Sequence, residues 1–365
     1  MAVDQAKDQP FTGPAGEQQR ERSFPCSSCG ADLVYQPGAT ALTCPYCGHA
    51  EAIPRDSRTI REFALNDYVP PPKPLVDASS RGLLPMACSA CGAQVEVPAN
   101  TAARPCPYCG GTLLAASAQN QQCACEALLP FKVPKAAADQ AVKIWLQGLW
   151  FAPSDLKRAV TIERFTSLYQ PWWTFDSHTL SHYSGEAGHH YTVTVGEGKN
   201  RRTETRTRWT YEQGVHEEFF DDLPVPAAEF REWGDGYDFS ALTPYESSFL
   251  AGHSATSATR DPKRGWSDAK TRIETRLQAT CSSLIGGDTQ RNVQVVTAHR
   301  SVTYKLIMLP RWQGGFRYRG RAFVIIVNGQ SGKVVGDRPW SAWKITGAVL
   351  AAAAVIAAAV WLLNR

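Results

Sequence analysis

The chain has 365 residues and eleven cysteines; 43% of its residues are hydrophobic, 20% are charged, and its formal net charge is +4. This length fits two or three folded units, and so small a net charge argues against a general affinity for polyanions. An odd number of cysteines, mostly at metal-ligand spacing, fits a reducing cytosol better than a disulfide framework. Residues 1–22 contain no apolar run, so we expect a disordered tail there rather than a signal peptide.

Eight of the cysteines form two copies of one pattern. Each copy has two Cys-x-x-Cys pairs separated by fourteen residues, and glycine follows every pair. Such a pair places two sulfurs on one edge of a tetrahedron, and the glycine tolerates the positive φ that the loop needs. The pattern predicts two zinc ribbons, at residues 23–54 and 83–117, in which four thiolates leave no open position on a structural Zn²⁺ ion. The predicted ligands are Cys26, Cys29, Cys44 and Cys47 in the first ribbon and Cys88, Cys91, Cys106 and Cys109 in the second.

Apolar content and charge indicate what these ribbons do. Each carries few apolar side chains, so we expect zinc to supply its folding energy and chelation to unfold 23–54 and 83–117 while the rest stays folded. Residues 23–125 hold six basic and seven acidic side chains. Two Zn²⁺ ions, each with four thiolates, bring this segment to a charge of about −5, whereas phosphate contacts need positive charge. Protein binding is therefore favoured over nucleic-acid binding, which is kept as the alternative.

Two connectors join these units to the rest of the chain. Residues 55–82 predict a linker with one short helix, on which Ile60 and Phe63 share a side, and a stiff proline-rich spacer at 69–74. Residues 118–158 predict a connector with an amphipathic helix, because apolar side chains recur there at three- and four-residue steps. Cys123 and Cys125 form a Cys-x-Cys pair without a second pair nearby, which favours ordinary thiols over metal ligands.

Residues 159–340 predict an α+β domain with a mostly antiparallel sheet. Period-two alternation at 174–198 and 202–214 indicates two strands of a hairpin. One long helix follows, because Asp261 and Pro262 are typical of a helix start and Gly286-Gly287 of a helix end. Its predicted buried stripe is Trp266, Ala269, Ile273, Leu277, Cys281 and Leu284.

Residues 344–363 predict a transmembrane helix. Nineteen consecutive residues carry no charge there, close to the length that spans a bilayer. Trp340, Trp343 and Trp361 flank the span as interfacial anchors do. The alternatives are a buried core helix or an interfacial helix, and spanning is favoured over them because the segment has no polar face. Lys333, Arg338 and Lys344 precede the span and Arg365 follows it, which predicts a single-pass, tail-anchored protein of the cytoplasmic (inner) membrane with its N-terminal domains in the cytoplasm.

No catalytic constellation stands out, and we expect a protein that is not an enzyme. Residues 328–334 lack the spacing of a phosphate loop and predict a hairpin turn. Four histidines of the predicted hairpin favour a solvated surface over a metal or acid–base site. A basic patch has two readings of equal weight, contact with anionic lipid headgroups or a solvated hairpin. The patch consists of Lys199, Arg201, Arg202, Arg206 and Arg208.

Several long segments carry a resemblance to a known family. Besides the paired cysteines, these are Glu126–Val133, Trp150–Lys157, Leu168–Gly188 and Val327–Ile345. The chain resembles bacterial membrane-tethered double zinc-ribbon proteins, often labelled primosomal protein N′, helicase-like or transcription-factor-IIB-type zinc ribbon; it has no ATP site to match the helicase label. The resemblance implies a non-enzymatic adaptor in membrane stress or organisation, whose ribbons bind a scaffold protein of the SPFH or phage-shock protein A type. Cys123 and Cys125 are not part of that family pattern.

Overall fold

The computed structural model describes most of the chain outside the N-terminal tail. The described residues are 24–54, 58–69, 83–88, 94–98, 101–107, 112–114, 125–156, 161–162, 165–196, 201–228, 230 and 236–363. The predicted tail, most of the proline-rich spacer, Cys91, Cys109, Cys123 and Lys199 lie outside them.

Within these residues the chain forms seventeen strands and three α-helices. The strands are β1 Val34–Tyr35, β2 Ala41–Thr43, β3 Ala50–Ala52, β4 Phe63–Ala64, β5 Leu83–Ala87, β6 Gln94–Pro98, β7 Thr101–Pro105, β8 Thr112–Leu114, β9 Ala127–Leu128, β10 Thr161–Ile162, β11 Thr166–Val195, β12 Arg202–Pro226, β13 Thr243–Pro244, β14 Ser254–Thr256, β15 Thr289–Tyr318, β16 Arg321–Asn328 and β17 Val334–Gly336. The helices are α1 Lys135–Gly148, α2 Pro262–Ile285 and α3 Ala342–Leu363.

Three long antiparallel strands form the frame of the molecule. Strand β11 lies between β12 and β15, and its residues pair with β12 from Trp172 to Val195. The 30 residues of β11 correspond to about 100 Å along an extended strand. The prediction of a mostly antiparallel sheet is confirmed; the short strands β14 and β9 add parallel pairs to it.

The frame is buried at one end only. From Tyr169 to Ser177 every residue of β11 is buried, although the side chains alternate between two faces. On one face Tyr169 packs in a large apolar cluster with Phe131, and Phe175 packs in a second cluster with Ala269 of α2. On the other face Trp172 packs in a third cluster with Ile307. A strand that is covered on both faces has no need of a polar alternation.

Helix α2 covers one face of the three-stranded frame and begins as predicted. The Asp261 carboxylate accepts a hydrogen bond from the Arg264 amide at 2.9 Å, and the helix ends at Gly286, whose φ is +78°. Four residues of the predicted stripe are fully buried: Ala269, Ile273, Leu277 and Cys281. The prediction was wrong at Leu284, which is half exposed, because Ile285 turns inward in its place and meets Gly185 of β11.

Of the two helices predicted in the connectors, one is present and one is not. Helix α1 confirms the predicted amphipathic helix, with Val142 and Leu146 buried. The predicted short helix of the first linker is wrong: Phe63 and Ala64 form strand β4, paired with Tyr304 and Thr303 of β15, and a single 3-10 turn follows at Leu65–Asp67. The open edge of β15 supplies backbone partners that a helix at this position would not use.

Helix α3 confirms the predicted C-terminal apolar helix. Its segment Ala342–Leu362 has a mean hydropathy of 2.3, and none of it is buried in the protein. The helix is therefore long and apolar enough to cross a membrane, and it is not a core helix of the described protein.

The predicted hairpin turn lies between β16 and β17. Asn328 closes it by accepting hydrogen bonds from the amides of Gln330 and Ser331.

Candidate metal centre

Each of the first two Cys-x-x-Cys pairs folds into a tight turn that its glycine closes. The Gly30 amide donates to the Cys26 carbonyl at 2.8 Å, and the Gly48 amide donates to the Cys44 carbonyl at 3.1 Å. The two glycines have φ values of +76° and +74°, a conformation that strains any residue with a Cβ. The repeated motif therefore specifies the same turn twice, as the sequence predicted.

A small antiparallel sheet brings the two turns together. Strand β2 lies between β1 and β3, and the bridge between Pro25 and Asp32 sets the first turn beside them. The Sγ atoms of Cys26 and Cys47 are 3.6 Å apart, and those of Cys29 and Cys44 are 3.5 Å apart. All four Sγ atoms lie within 4.8 Å of one another. Zinc–sulfur bonds of about 2.3 Å in a tetrahedron place the sulfurs about 3.8 Å apart, so the group fits one such ion.

The pKa values of Cys29 and Cys44 are shifted in opposite directions. The amides of Cys47 and Tyr46 are among the groups that lower the pKa of Cys44, to about 6. The Ala31 amide lowers the pKa of Cys29, but the neighbouring sulfurs of Cys47 and Cys44 raise it by more, and the balance lies well above the ordinary value. Four negative sulfurs so close together repel one another, and a divalent cation removes that repulsion.

Polar contacts fix the outer turn to strand β3. The Ser27 amide donates to the Glu51 carboxylate at 2.9 Å, which lowers the pKa of Glu51. The Ser27 hydroxyl lies 3.0 Å from Nε2 of His49. Tyr46, between the two cysteines of the second turn, is 79% exposed.

The first cysteine module, residues 24–54, is packed onto the body of the protein. Cys26 and Cys44 are buried in the same apolar cluster as Phe131 and Tyr169. The Tyr35 hydroxyl donates to the Phe131 carbonyl at 3.1 Å, and the Gly38 amide donates to the same carbonyl at 2.7 Å. The cysteine group is thus fixed against the body rather than held on a free stalk.

The loop Ala251–His253 joins both cysteine segments to the body. Ala251 accepts a hydrogen bond from the Tyr35 amide at 3.0 Å, and Gly252 donates to Thr112 of β8 at 3.0 Å. His253 stacks on Phe131, with ring centroids 4.8 Å apart, and its Nε2 donates to the Tyr35 carbonyl at 3.1 Å. Burial lowers the pKa of His253 to about 4. This loop was not predicted, because a single histidine between small residues carries no local pattern.

The second cysteine set is described in part. Cys88 and Cys106 are buried in one small cluster with Met86, Val95, Val97 and Leu113. Strand β7 carries this segment onto the main sheet by pairing with β14. The other two predicted ligands lie outside the described residues, so the second four-cysteine group stays a prediction.

Cys125 and Cys281 lie outside the two cysteine modules and pack in the body of the protein. Cys125 donates to the carbonyl of Ala127 at 3.2 Å, and burial raises the pKa of its thiol. Cys281 is fully buried on α2, as predicted, and burial raises its pKa too.

The predicted basic patch lies at the far end of the three-stranded frame. Arg202 and Arg206 lie 2.7 and 3.7 Å from Glu204, and the Arg208 guanidinium lies 6.0 Å from the centre of the Tyr191 ring. Arg201 precedes β12 and is exposed. Both readings of the patch stay predictions.

The four histidines of the hairpin are spread along β11. His178 stacks on Phe219 at 4.4 Å, and Nδ1 of His190 lies 3.0 Å from the Thr207 hydroxyl. His182 and His189 are exposed on the same strand. Among the described residues, none of the four belongs to a group of three or more potential metal ligands.

A buried lysine with three carboxylates was not predicted from the sequence. Lys305 contacts Glu62 at 2.7 Å and Asp222 at 2.5 Å. Asp176 lies beside them; burial and the neighbouring Glu62 raise its pKa to about 7. The four residues come from four distant parts of the chain, and the positive φ of Asp222 marks the bulge that brings it in. We interpret the cluster as a structural ion pair network.

Comparison with known proteins yields one informative similarity. No protein-family model matches the chain, and no solved structure matches it. The chain is 26% identical to the uncharacterized protein YdjG of Bacillus subtilis (strain 168) over 341 residues, which cover 88% of this chain and 92% of that protein. The similarity therefore extends along most of both chains.

Proposed function

We propose that the protein is a non-enzymatic, membrane-anchored adaptor whose structural zinc ribbons bind a cytosolic scaffold protein. The observation that carries the proposal is the presence, in one chain, of a closed four-cysteine group and an unburied apolar helix. A cysteine group of this kind shapes a surface, and a helix of this kind fixes that surface to a bilayer.

The proposed cofactors are two structural Zn²⁺ ions. The first is held by Cys26, Cys29, Cys44 and Cys47, because thiolate sulfur is a soft ligand and the spacing of the Sγ atoms suits a tetrahedron. The second is held by Cys88, Cys91, Cys106 and Cys109, by analogy with the repeated spacing. Four thiolates occupy all four coordination positions of each ion, which supports a structural rather than a catalytic role.

Charge and exposure support a protein partner. Residues 23–125 hold one more acidic than basic side chain before the thiolates are counted, which is the wrong sign for phosphate contacts. Tyr46 offers a large, rigid and exposed side chain on the second turn, and tyrosine is enriched at interface hot spots. The family resemblance suggests a partner of the SPFH or phage-shock protein A type.

The proposed location is the cytoplasmic membrane, with the cysteine modules in the cytoplasm. Lys333, Arg338 and Lys344 precede the uncharged span of helix α3, which supports a cytoplasmic N-terminal side. Cys26, Cys29, Cys44 and Cys47 are not joined in disulfides, which suits that reducing compartment.

Affinity purification from membranes tests the proposal, with the full chain compared in four forms. These are the wild type, Tyr46→Ala, Cys44→Ser and Tyr211→Ala, the last being a matched control because Tyr211 is also an exposed tyrosine but lies on β12. The zinc content of each purified chain is measured alongside the bound proteins.

The expected result is a scaffold partner that is lost with Tyr46→Ala and Cys44→Ser and kept with Tyr211→Ala. Zinc should fall only in Cys44→Ser, since Tyr46 supplies no ligand. A partner list that is unchanged in both ribbon variants overturns the adaptor proposal. Nucleic acid that co-purifies with the wild type, and that added salt removes steeply, favours nucleic-acid binding instead.

A further inference from the structure

The corner between α1 and β10 exposes two aromatic side chains. Trp150 is 82% exposed and Phe151 is 38% exposed. Their neighbours Leu149 and Ala152 are both buried in the main apolar cluster. The corner is therefore held firmly by the body, and its aromatic side chains point away from the core.

Hydrogen bonds fix this corner to the start of helix α3. The Phe151 carbonyl accepts from the Ser341 amide at 2.8 Å. The Lys344 ammonium donates to the carbonyls of Trp150 and Ala152 at 3.2 and 2.8 Å. Three consecutive carbonyls of the corner thus bind the first turn of the apolar helix and the residue before it.

More aromatic and basic side chains lie at the same junction. The rings of Phe151 and Trp340 are 6.5 Å apart, and the Arg338 guanidinium lies 4.3 Å from the centre of the Trp340 ring. Trp343, in the first turn of α3, is 88% exposed. Tryptophan and basic side chains together are typical of the headgroup layer of a membrane.

We propose that the Trp150–Phe151 corner inserts into the lipid headgroup layer beside helix α3, so that the folded body rests on the bilayer. This rests on the membrane anchorage proposed above and adds a second contact, made by the body itself. The lipid surface is the occupant because the exposed apolar side chains of the corner are continuous with an apolar helix that the protein leaves wholly unburied. The corner cannot move away from the lipid while its carbonyls hold Lys344 and Ser341.

Photo-crosslinking to lipid tests the contact in the full chain. A photoreactive p-benzoylphenylalanine replaces one exposed aromatic residue at a time, at Trp150, Trp343 or Tyr211, and each chain is reconstituted into vesicles of phosphatidylcholine and phosphatidylglycerol. Trp343 reports on the helix, and Tyr211 is the matched control on the long strand β12. Lipid adducts are measured by mass spectrometry after irradiation.

The expected result is lipid adducts at positions 150 and 343 and only background at 211. Adducts at 343 without adducts at 150 overturn the proposed contact and leave the anchorage intact. Loss of adducts at 343 overturns the anchorage, and the contact with it. Equal adducts at 150 and 211 also overturn the proposal, because the lipid contact is then not particular to the corner.

Discussion

The two ends of strand β11 lie in opposite surroundings. Residues 169–177 are buried on both faces. One face is covered by the apolar cluster of the first cysteine module and by helix α2, and the other by the cluster around Trp172. Residues 189–195 pair with β12 alone, and all of them are exposed or half-buried. Both ends pair with β12, and only the near end pairs with β15 as well. Pairing therefore forms the strand, and the covering elements stabilise its near end.

Removal of the metal should give the largest effect at the buried end. A structural zinc site contributes about 10 kcal/mol or more of binding free energy, which becomes folding energy for its module. We expect a strong zinc chelator to expose the amides of 24–54, including those of Tyr35 and Gly38, while the amides of 172–174 stay protected. Hydrogen exchange with mass spectrometry measures both regions in one experiment.

Two cysteine variants control for the chelator. Cys44→Ser should reproduce the exposed amides without any chelator, whereas Cys281→Ala should leave the zinc content unchanged because Cys281 lies on α2. A first module that keeps its protection after complete loss of zinc would contradict a metal-dependent fold.

Two tryptophans allow a direct comparison of the two ends. Trp173 is fully buried and donates through Nε1 to the Arg260 carbonyl at 3.0 Å; its replacement by alanine should cost about 3–5 kcal/mol of unfolding free energy. Trp209 is half-buried beneath the Arg291 guanidinium at 4.0 Å; the same replacement there should cost about 1 kcal/mol. Urea unfolding followed by circular dichroism gives both values. Equal losses would show that the far end is covered as well as the near end.

Acid should act through His253 at the buried end. Its pKa is about 4 in the folded protein against an ordinary 6.5, so the unfolded chain binds the extra proton first. The stability is complete above pH 6.5 and is lost as the pH falls toward 4, by up to about 3 kcal/mol. The His253→Gln variant cannot take up this proton but keeps an N–H for the Tyr35 carbonyl. Urea midpoints measured across this pH range should fall less in the variant; parallel curves for the two proteins would rule His253 out.

The smallest effect is expected on the open face of the far end. Val296 is 71% exposed on β15, so Val296→Ser should change the unfolding free energy by less than about 0.5 kcal/mol. Thermal unfolding at two protein concentrations provides the check. A larger loss that depends on concentration would show that this face is covered by a second copy of the chain.

Local patterns predicted the parts of this structure that are themselves local. The Cys-x-x-Cys-Gly motif predicted the turns and the grouping of the four cysteines in the first module, and Asp261-Pro262 predicted the start of α2. Alternation at 174–198 predicted a strand but did not predict that the start of β11 is buried. Burial there depends on α2 and the first module, which pack over it.

Contacts between distant segments explain what the sequence did not predict. His253 matters because Tyr35 and Phe131 surround it, and Lys305 is buried because Glu62 and Asp222 neutralise it. A helix was predicted around Phe63, but this segment forms a strand because it pairs with the edge of β15. None of these partners is near in sequence, so no local pattern marks them.

The length of β11 sets how far charges at its two ends are separated. Along the strand, about 100 Å lies between Thr166 and Val195, roughly twice the thickness of a bilayer with its headgroups. The field of anionic lipids decays over a Debye length of about 8 Å at physiological ionic strength. Arg202, Arg206 and Arg208 are therefore attracted to the proposed membrane only when the three-stranded frame is parallel to it. Higher ionic strength weakens that attraction and so favours orientations in which the frame is perpendicular to the membrane.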